Sequence, residues 1–130
     1  MSEKVLVWLL FERDEAVLFA LRKNDSAPFA GRLVLPGDEM ESEESASETI
    51  GRVGREEMGL DVTGEEFVDT LYLTEGGQQY AVNIFRVLSF TGAPRFRESG
   101  PYVDVRWGLR SELDNEALPM PAELRLLLVR

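Results

Sequence analysis

The stretch from Leu35 to Leu60 constrains this chain more than any other, because it sets a proline-glycine turn, a run of acids and an amphipathic helix in fixed order. Ser45 with Glu48 three residues later is a capping box, each side chain bonding an amide left unpaired at a helix start. Ala46, Ile50 and Val53 recur at i, i+4 and i+7 and mark one buried face. Gly59 ends the helix, since glycine takes the left-handed conformation without a Cβ penalty. Gly51 and Gly54 each cost the helix about 1 kcal/mol relative to alanine. Close packing on a sheet or a relaxed constraint would account for them, and the pattern leaves both open. Glu56 and Glu57 lie within one turn of Val53, near the C-terminal end, where they meet an unfavourable dipole and each other. A bound cation relieves both; a solvated acidic helix end is the plainer alternative. Val53 itself is expected at the border between the apolar face and the acidic edge.

Leu35-Pro36-Gly37 followed by Glu44, Arg52, Glu56, Glu57, Gly59 and Leu60 resembles the Nudix box of the Nudix hydrolases. That box reads Gly, five residues, Glu, seven residues, Arg-Glu-hydrophobic-any-Glu-Glu-any-Gly-hydrophobic. Three positions depart from it: Asp38 replaces the box glycine, Val53 the Arg-Glu glutamate, and Gly54 a hydrophobic. Val105-Arg106-Trp107 followed by Ser111-Glu112-Leu113 is similar to the late strand and short turn of the family, so the resemblance spans nearly the whole chain.

The resemblance implies an α/β fold, a mixed β-sheet sandwiched between helices (α/β/α), in a single domain over residues 1–130. It further implies a hydrolase that cleaves a pyrophosphate bond in a nucleoside diphosphate derivative, using Mg2+ or Mn2+ and water. Glu56 and Glu57 would hold the metal. Glu44 is assigned with Arg52 to a salt bridge or metal-shell role that fixes the acidic loop on the helix. Glu98, in a later loop, is the candidate for an additional ligand or general base. Arg22 and Arg32 border the substrate cleft, where either would meet phosphate oxygens or be an ordinary solvated base. Gly37 turns the chain sharply at the cleft mouth. Loss of the glutamate at 53 removes a metal ligand or the base. A weak or inactive nucleotide-binding or regulatory module is therefore the alternative, and an acidic protein-interaction domain a third reading resting on charge alone.

Composition narrows the chemistry further. The 130 residues include neither cysteine nor histidine, which excludes disulfides, thiolate nucleophiles, Cys/His zinc sites and a histidine base. Oxygen ligands remain, and these suit magnesium or manganese. With 24 acids against 14 bases the net charge is −10, unfavourable for a nucleic-acid surface. The short apolar run Val5 to Phe11 is too short for a membrane span and has no signal-peptide cleavage site, so the cytoplasm is the expected location.

In chain order, Val5 to Phe11 and Ala16 to Leu21 read as strands of a hairpin around Arg13-Asp14-Glu15, and Leu33 to Leu35 as a short strand. Asp61 to Glu66 reads as a connection, and Phe67 to Leu73 and Tyr80 to Phe90 as strands joined at Gly76-Gly77. Val103 to Trp107 is a further strand, and Pro121 opens a helix over Ala122 to Val129. Trp8, Tyr80, Phe85 and Trp107 suit core packing better than stacking on a ligand base.

Overall fold

The unbroken apolar run of β1 (Lys4–Leu10) follows from its surroundings, for both of its faces are covered. Side chains alternate across a strand. Leu6, Trp8 and Leu10 enter one core with Val82, Ile84, Leu124 and Leu128. Val7 and Leu9, with the following Phe11, enter a second core with Ile50, Val53, Met58 and Leu60. The computed structural model describes residues 3–97, 99–115 and 117–129.

In the first sheet β1 runs parallel to β7 (Gln78–Thr91) and antiparallel to β5 (Gly37–Glu39), and β6 (Asp61–Glu75) pairs with β7 at the edge. A second, antiparallel sheet gathers β2 (Glu12–Arg13), β4 (Leu33–Val34) and β8 (Tyr102–Leu109) about β3 (Ala16–Arg22). Helix α1 (Ala46–Val53) buries Ile50 and Val53 in the second core, and α2 (Ala122–Val129) buries Leu124 and Leu128 in the first. This is the expected α/β arrangement, a mixed sheet with a helix on either side.

Several local expectations change. The strands at 5–11 and 16–21 belong to different sheets, and only Glu12 and Arg13 form the tight hairpin with β3, through a turn at Asp14 (φ 56°). Residues 61–66 are strand, not connection: β7 is long enough to pair them from Thr91 to Arg86, and an edge strand tolerates their polar side chains. The β6–β7 hairpin closes at Gly76 (φ 58°) and Gly77 (φ 80°), the two positive angles of a type I′ turn.

The capping box of α1 forms as expected, with Glu48 N–H donating to Ser45 Oγ and Ser45 N–H to Glu48 Oε1, both at 3.1 Å. Gly59 takes the left-handed conformation (φ 67°). The last turn, Gly54–Met58, is π-helical, which widens the helix where Glu56 and Glu57 leave it; such turns often accompany functional sites. Val53 is 0% exposed. It is part of the core rather than the border of the acidic edge, because the apolar face of α1 continues through it into Met58 and Leu60.

Candidate functional site

β5 owes its place to a residue without a side chain. A Cβ on Gly37 would lie 2.1 Å from the Val7 carbonyl oxygen and 2.8 Å from Trp8 Cα. Gly37 is thus required by close approach to β1, not by the freedom of a sharp turn; its φ is not in the positive range. The strand then presents Asp38 and Glu39 beside α1.

Arg52 locks this strand and the acidic loop onto the helix. Its Nε and Nη2 donate to Glu44 Oε2 and Oε1 at 2.9 and 3.0 Å, its Nη1 to Asp38 Oδ2 at 3.2 Å, and its Nη2 also to the Glu39 carbonyl at 2.9 Å. Glu44 Oε1 accepts further bonds from Thr49 Oγ1 (2.7 Å) and the Glu41 amide (2.9 Å). The Arg52 guanidinium and these donors hold the Glu44 carboxyl down at about 2, and Glu44 in turn raises Arg52.

Glu57 is placed quite differently. Burial first, and the negative charge of Asp38 second, push its carboxyl up to about 7. Its Oε1 meets the Tyr102 hydroxyl at 2.9 Å, while its buried Oε2 has no hydrogen-bond partner among the described residues. The Tyr102 hydroxyl also accepts from the Gly37 amide and faces the Gly37 carbonyl, both at 3.0 Å. Burial carries Tyr102 well above the usual phenol value. One phenol therefore ties the start of β8 to β5 and to the end of the helix. Asp38, Glu56, Glu57 and Tyr102 line a recess of about 180 Å³.

Two further recesses adjoin it. One, of about 230 Å³, shares Asp38 and Pro101 and is walled by Trp8, Arg22, Phe29 and Glu39. The other, of about 390 Å³, shares Glu56, Glu57 and Arg97 and adds Arg55 and Arg95. The acids thus sit between an aromatic recess and an arginine recess.

The expected residues are distributed over this surface unevenly. Glu56 and Glu57 stand together. Arg22 lines the aromatic recess, donating to the Ser26 carbonyl (3.2 Å) and lying 5.8 Å from the Tyr102 ring centroid. Arg32 is bound to Glu75 (3.3 Å) and the Pro119 carbonyl (3.1 Å) and lines none of the three recesses. Glu98 lies outside the described residues. Trp8 and Tyr80 are buried in the core, Trp107 lies under Arg13, and Phe85 packs edge-on against Phe67. Sequence reasoning missed Asp38 as a site residue, and Tyr102 entirely. The signal for Asp38 was present, an acid gained beside the glutamate lost at 53; no local pattern marks Tyr102.

Among the described residues no group of three or more acidic side chains is already disposed to hold a metal ion. The donor set nevertheless fits a hard cation. It offers only oxygens, and one of them, Glu57 Oε2, is buried and unpartnered beside a second carboxylate. No helix among the described residues is long and apolar enough to cross a membrane.

Comparison with known proteins bears on the fold and the family. The fold is shared with a MutT Nudix hydrolase from Burkholderia pseudomallei (TM-score 0.83, 23% identity, covering 98% of this chain and 97% of that one). It is also shared with the ORF135 protein of E. coli (TM-score 0.77, 26% identity, 98% and 87% covered). A third likeness is the Nudix domain of Shewanella oneidensis NrtR, solved with ADP ribose (TM-score 0.73, 19% identity, 99% and 85% covered). No curated protein matches the chain. A family model of the NUDIX domain matches residues 2–128, so the chain belongs to the Nudix hydrolase family.

Proposed function

We propose that this protein hydrolyses a pyrophosphate bond in a nucleoside diphosphate derivative, with Asp38, Glu56 and Glu57 holding a divalent cation, magnesium or manganese. The observation that carries this reading is Glu57 Oε2, a buried carboxylate oxygen without a partner among the described residues, in a recess that Asp38 and Glu56 also line. Asp38, gained at the box-glycine position, supplies the carboxylate that Val53 no longer offers. When bound, the cation neutralises phosphate charge and makes water more acidic.

The chain's own groups do the rest. Arg52 and Glu44 fix the strand that carries Asp38, and Tyr102 orients Glu57 and the Gly37 carbonyl. A base takes the proton of the attacking water as the new oxygen–phosphorus bond forms and the bridging bond breaks, the leaving phosphate departing with the electron pair. Glu98 is the proposed base, one residue beyond Arg97. The recess with Trp8, Phe29 and Arg22 is the proposed place for the nucleoside, on its aromatic lining beside a cation.

A panel of nucleoside triphosphates, dinucleoside polyphosphates, nucleotide sugars and ADP-ribose, incubated with Mg2+ or Mn2+, tests this. Cation-dependent phosphate or pyrophosphate release is expected from at least one, with Asp38→Asn and Glu57→Gln each reducing it at least about a hundredfold. The buried apolar residue at 53 favours a second reading, a module that binds such compounds without turning them over. Ligand-induced thermal stabilisation with no turnover across the panel would select it.

A further inference from the structure

The arginines of the third recess have no part in the proposed cation site. The molecule carries a net charge of −10, and acids to pair with are plentiful. Every other described arginine is held by a carboxylate, a backbone carbonyl or an aromatic ring. The guanidinium groups of Arg55, Arg95 and Arg97 make no hydrogen bond or ion pair with any described residue, yet all three line one recess. Glu56 and Glu57 line it too, and none of the three arginines bridges to them. Bases and acids are thus kept apart within one cavity of about 390 Å³.

Arg95 is set there by backbone. Its amide donates to the Met58 carbonyl at 3.1 Å, docking the loop after β7 on the end of the helix. Its Nε lies 2.5 Å from where a Cβ on Gly59 would stand, so glycine at 59 leaves room for the guanidinium as well as ending the helix. Arg55 leaves the π-helical turn itself.

We propose that Arg55, Arg95 and Arg97 form a subsite for the terminal phosphate of a linear polyphosphate, so that the substrate is a nucleoside triphosphate. This rests on the proposed reading of the adjoining site and deepens it. The three recesses are neighbours through shared lining residues, Asp38 and Pro101 on one side and Glu56, Glu57 and Arg97 on the other. Their order matches a nucleoside, a phosphate chain at the acids, and a terminal phosphate at the arginines. A terminal phosphate carries nearly two charges, and its oxygens suit forked guanidinium donors. The distal sugar of a nucleotide sugar has neither property. Acids and arginines that stand in one recess without pairing, among the described residues, also match a polyphosphate bound with its cation.

The test is calorimetry with tripolyphosphate, free of divalent cations at low salt, on the parent and on Arg55→Gln/Arg95→Gln/Arg97→Gln, with Arg97→Gln alone as a milder variant. The triple variant should bind at least tenfold more weakly, and the single variant in between. Its kcat/KM for a nucleoside triphosphate, relative to that for a nucleotide sugar, should fall by a similar factor. A parent that does not bind tripolyphosphate, or variants that bind it equally well, overturn the subsite. Manganese titration of the same proteins separates this from the neighbouring site: loss of cation binding in Glu57→Gln is independent of the arginines. Absence of any turnover would count against the hydrolase and leave the tripolyphosphate result to decide the subsite.

Discussion

Glu44 and Glu57 stand at the two ends of the box helix and have opposite environments. Glu44 accepts four hydrogen bonds through its two oxygens, two of them from Arg52, and is held down at about 2. Glu57 has a phenol at one oxygen and no donor among the described residues at the other, lies against a second carboxylate, and is pushed up to about 7. Saturated with donors, a carboxylate is a structural strut. One left short of donors in a buried place is destabilising until something positive arrives. Asp38 touches both ends, giving one oxygen to Arg52 and standing beside Glu57, so the rigid end positions the reactive one.

A carboxylate placed on the buried face of the helix between these two sharpens the contrast most. Val53 is wholly enclosed by apolar neighbours, and Val53→Glu should cost about 4 kcal/mol in urea unfolding, an unpaired acid buried without donors. Stability equal to the parent would put position 53 at the acidic edge after all. Next comes the strand that links the two ends. Gly37→Ala forces a methyl against the Val7 carbonyl and should cost about 2–3 kcal/mol, moving Asp38 with it; an unperturbed melt would break the close-approach argument.

Glu57→Gln removes the orphan charge. Its manganese affinity should drop at least about tenfold, or 1.4 kcal/mol, while the cation-free protein stays folded. A raised acid makes the native state lose stability as pH climbs from 4.5 towards and past 7, and the glutamine variant should lack that decline. Unchanged manganese binding would remove the cation from this end of the helix.

The smallest effect is expected from Glu44→Gln, which should melt a few degrees lower than the parent at pH 7 and keep its cation affinity. Because the folded value of Glu44 is depressed, its contribution is full above about 4.5 and is lost as pH falls towards about 2. The two melting curves should therefore converge across that window. A cation affinity that falls with this substitution as steeply as with Glu57→Gln would erase the distinction between strut and ligand.

What could be read from the chain was local. The capping box, the left-handed stop at Gly59 and the turn at Gly76-Gly77 depend on residues a few positions apart, and each stands in the structure. Tyr102 was invisible because it meets Gly37 from 65 positions away. Asp38 was visible as a departure but not as a neighbour of Glu57, since that follows from pairing with β1. Residues 61–66 look like a loop because their polarity suits solvent, and only the length of β7 makes them strand. Gly37 was singled out for backbone freedom, where the structure shows lack of room beside β1.

The alternation along β1 bears on how this lineage can drift. Leu6, Trp8 and Leu10 serve one core while Val7, Leu9 and Phe11 serve the other. Insertion or deletion of one residue there exchanges the two sets, setting Trp8 where valine- and leucine-sized neighbours now pack. Conservative replacements at single positions remain open to the strand, but a change of length does not. The loop tip at Gly76-Gly77, where an added Cβ meets nothing within 4 Å, is free of that restriction. Length variation in descendants of this sequence belongs at such tips, and β1 keeps its reading frame.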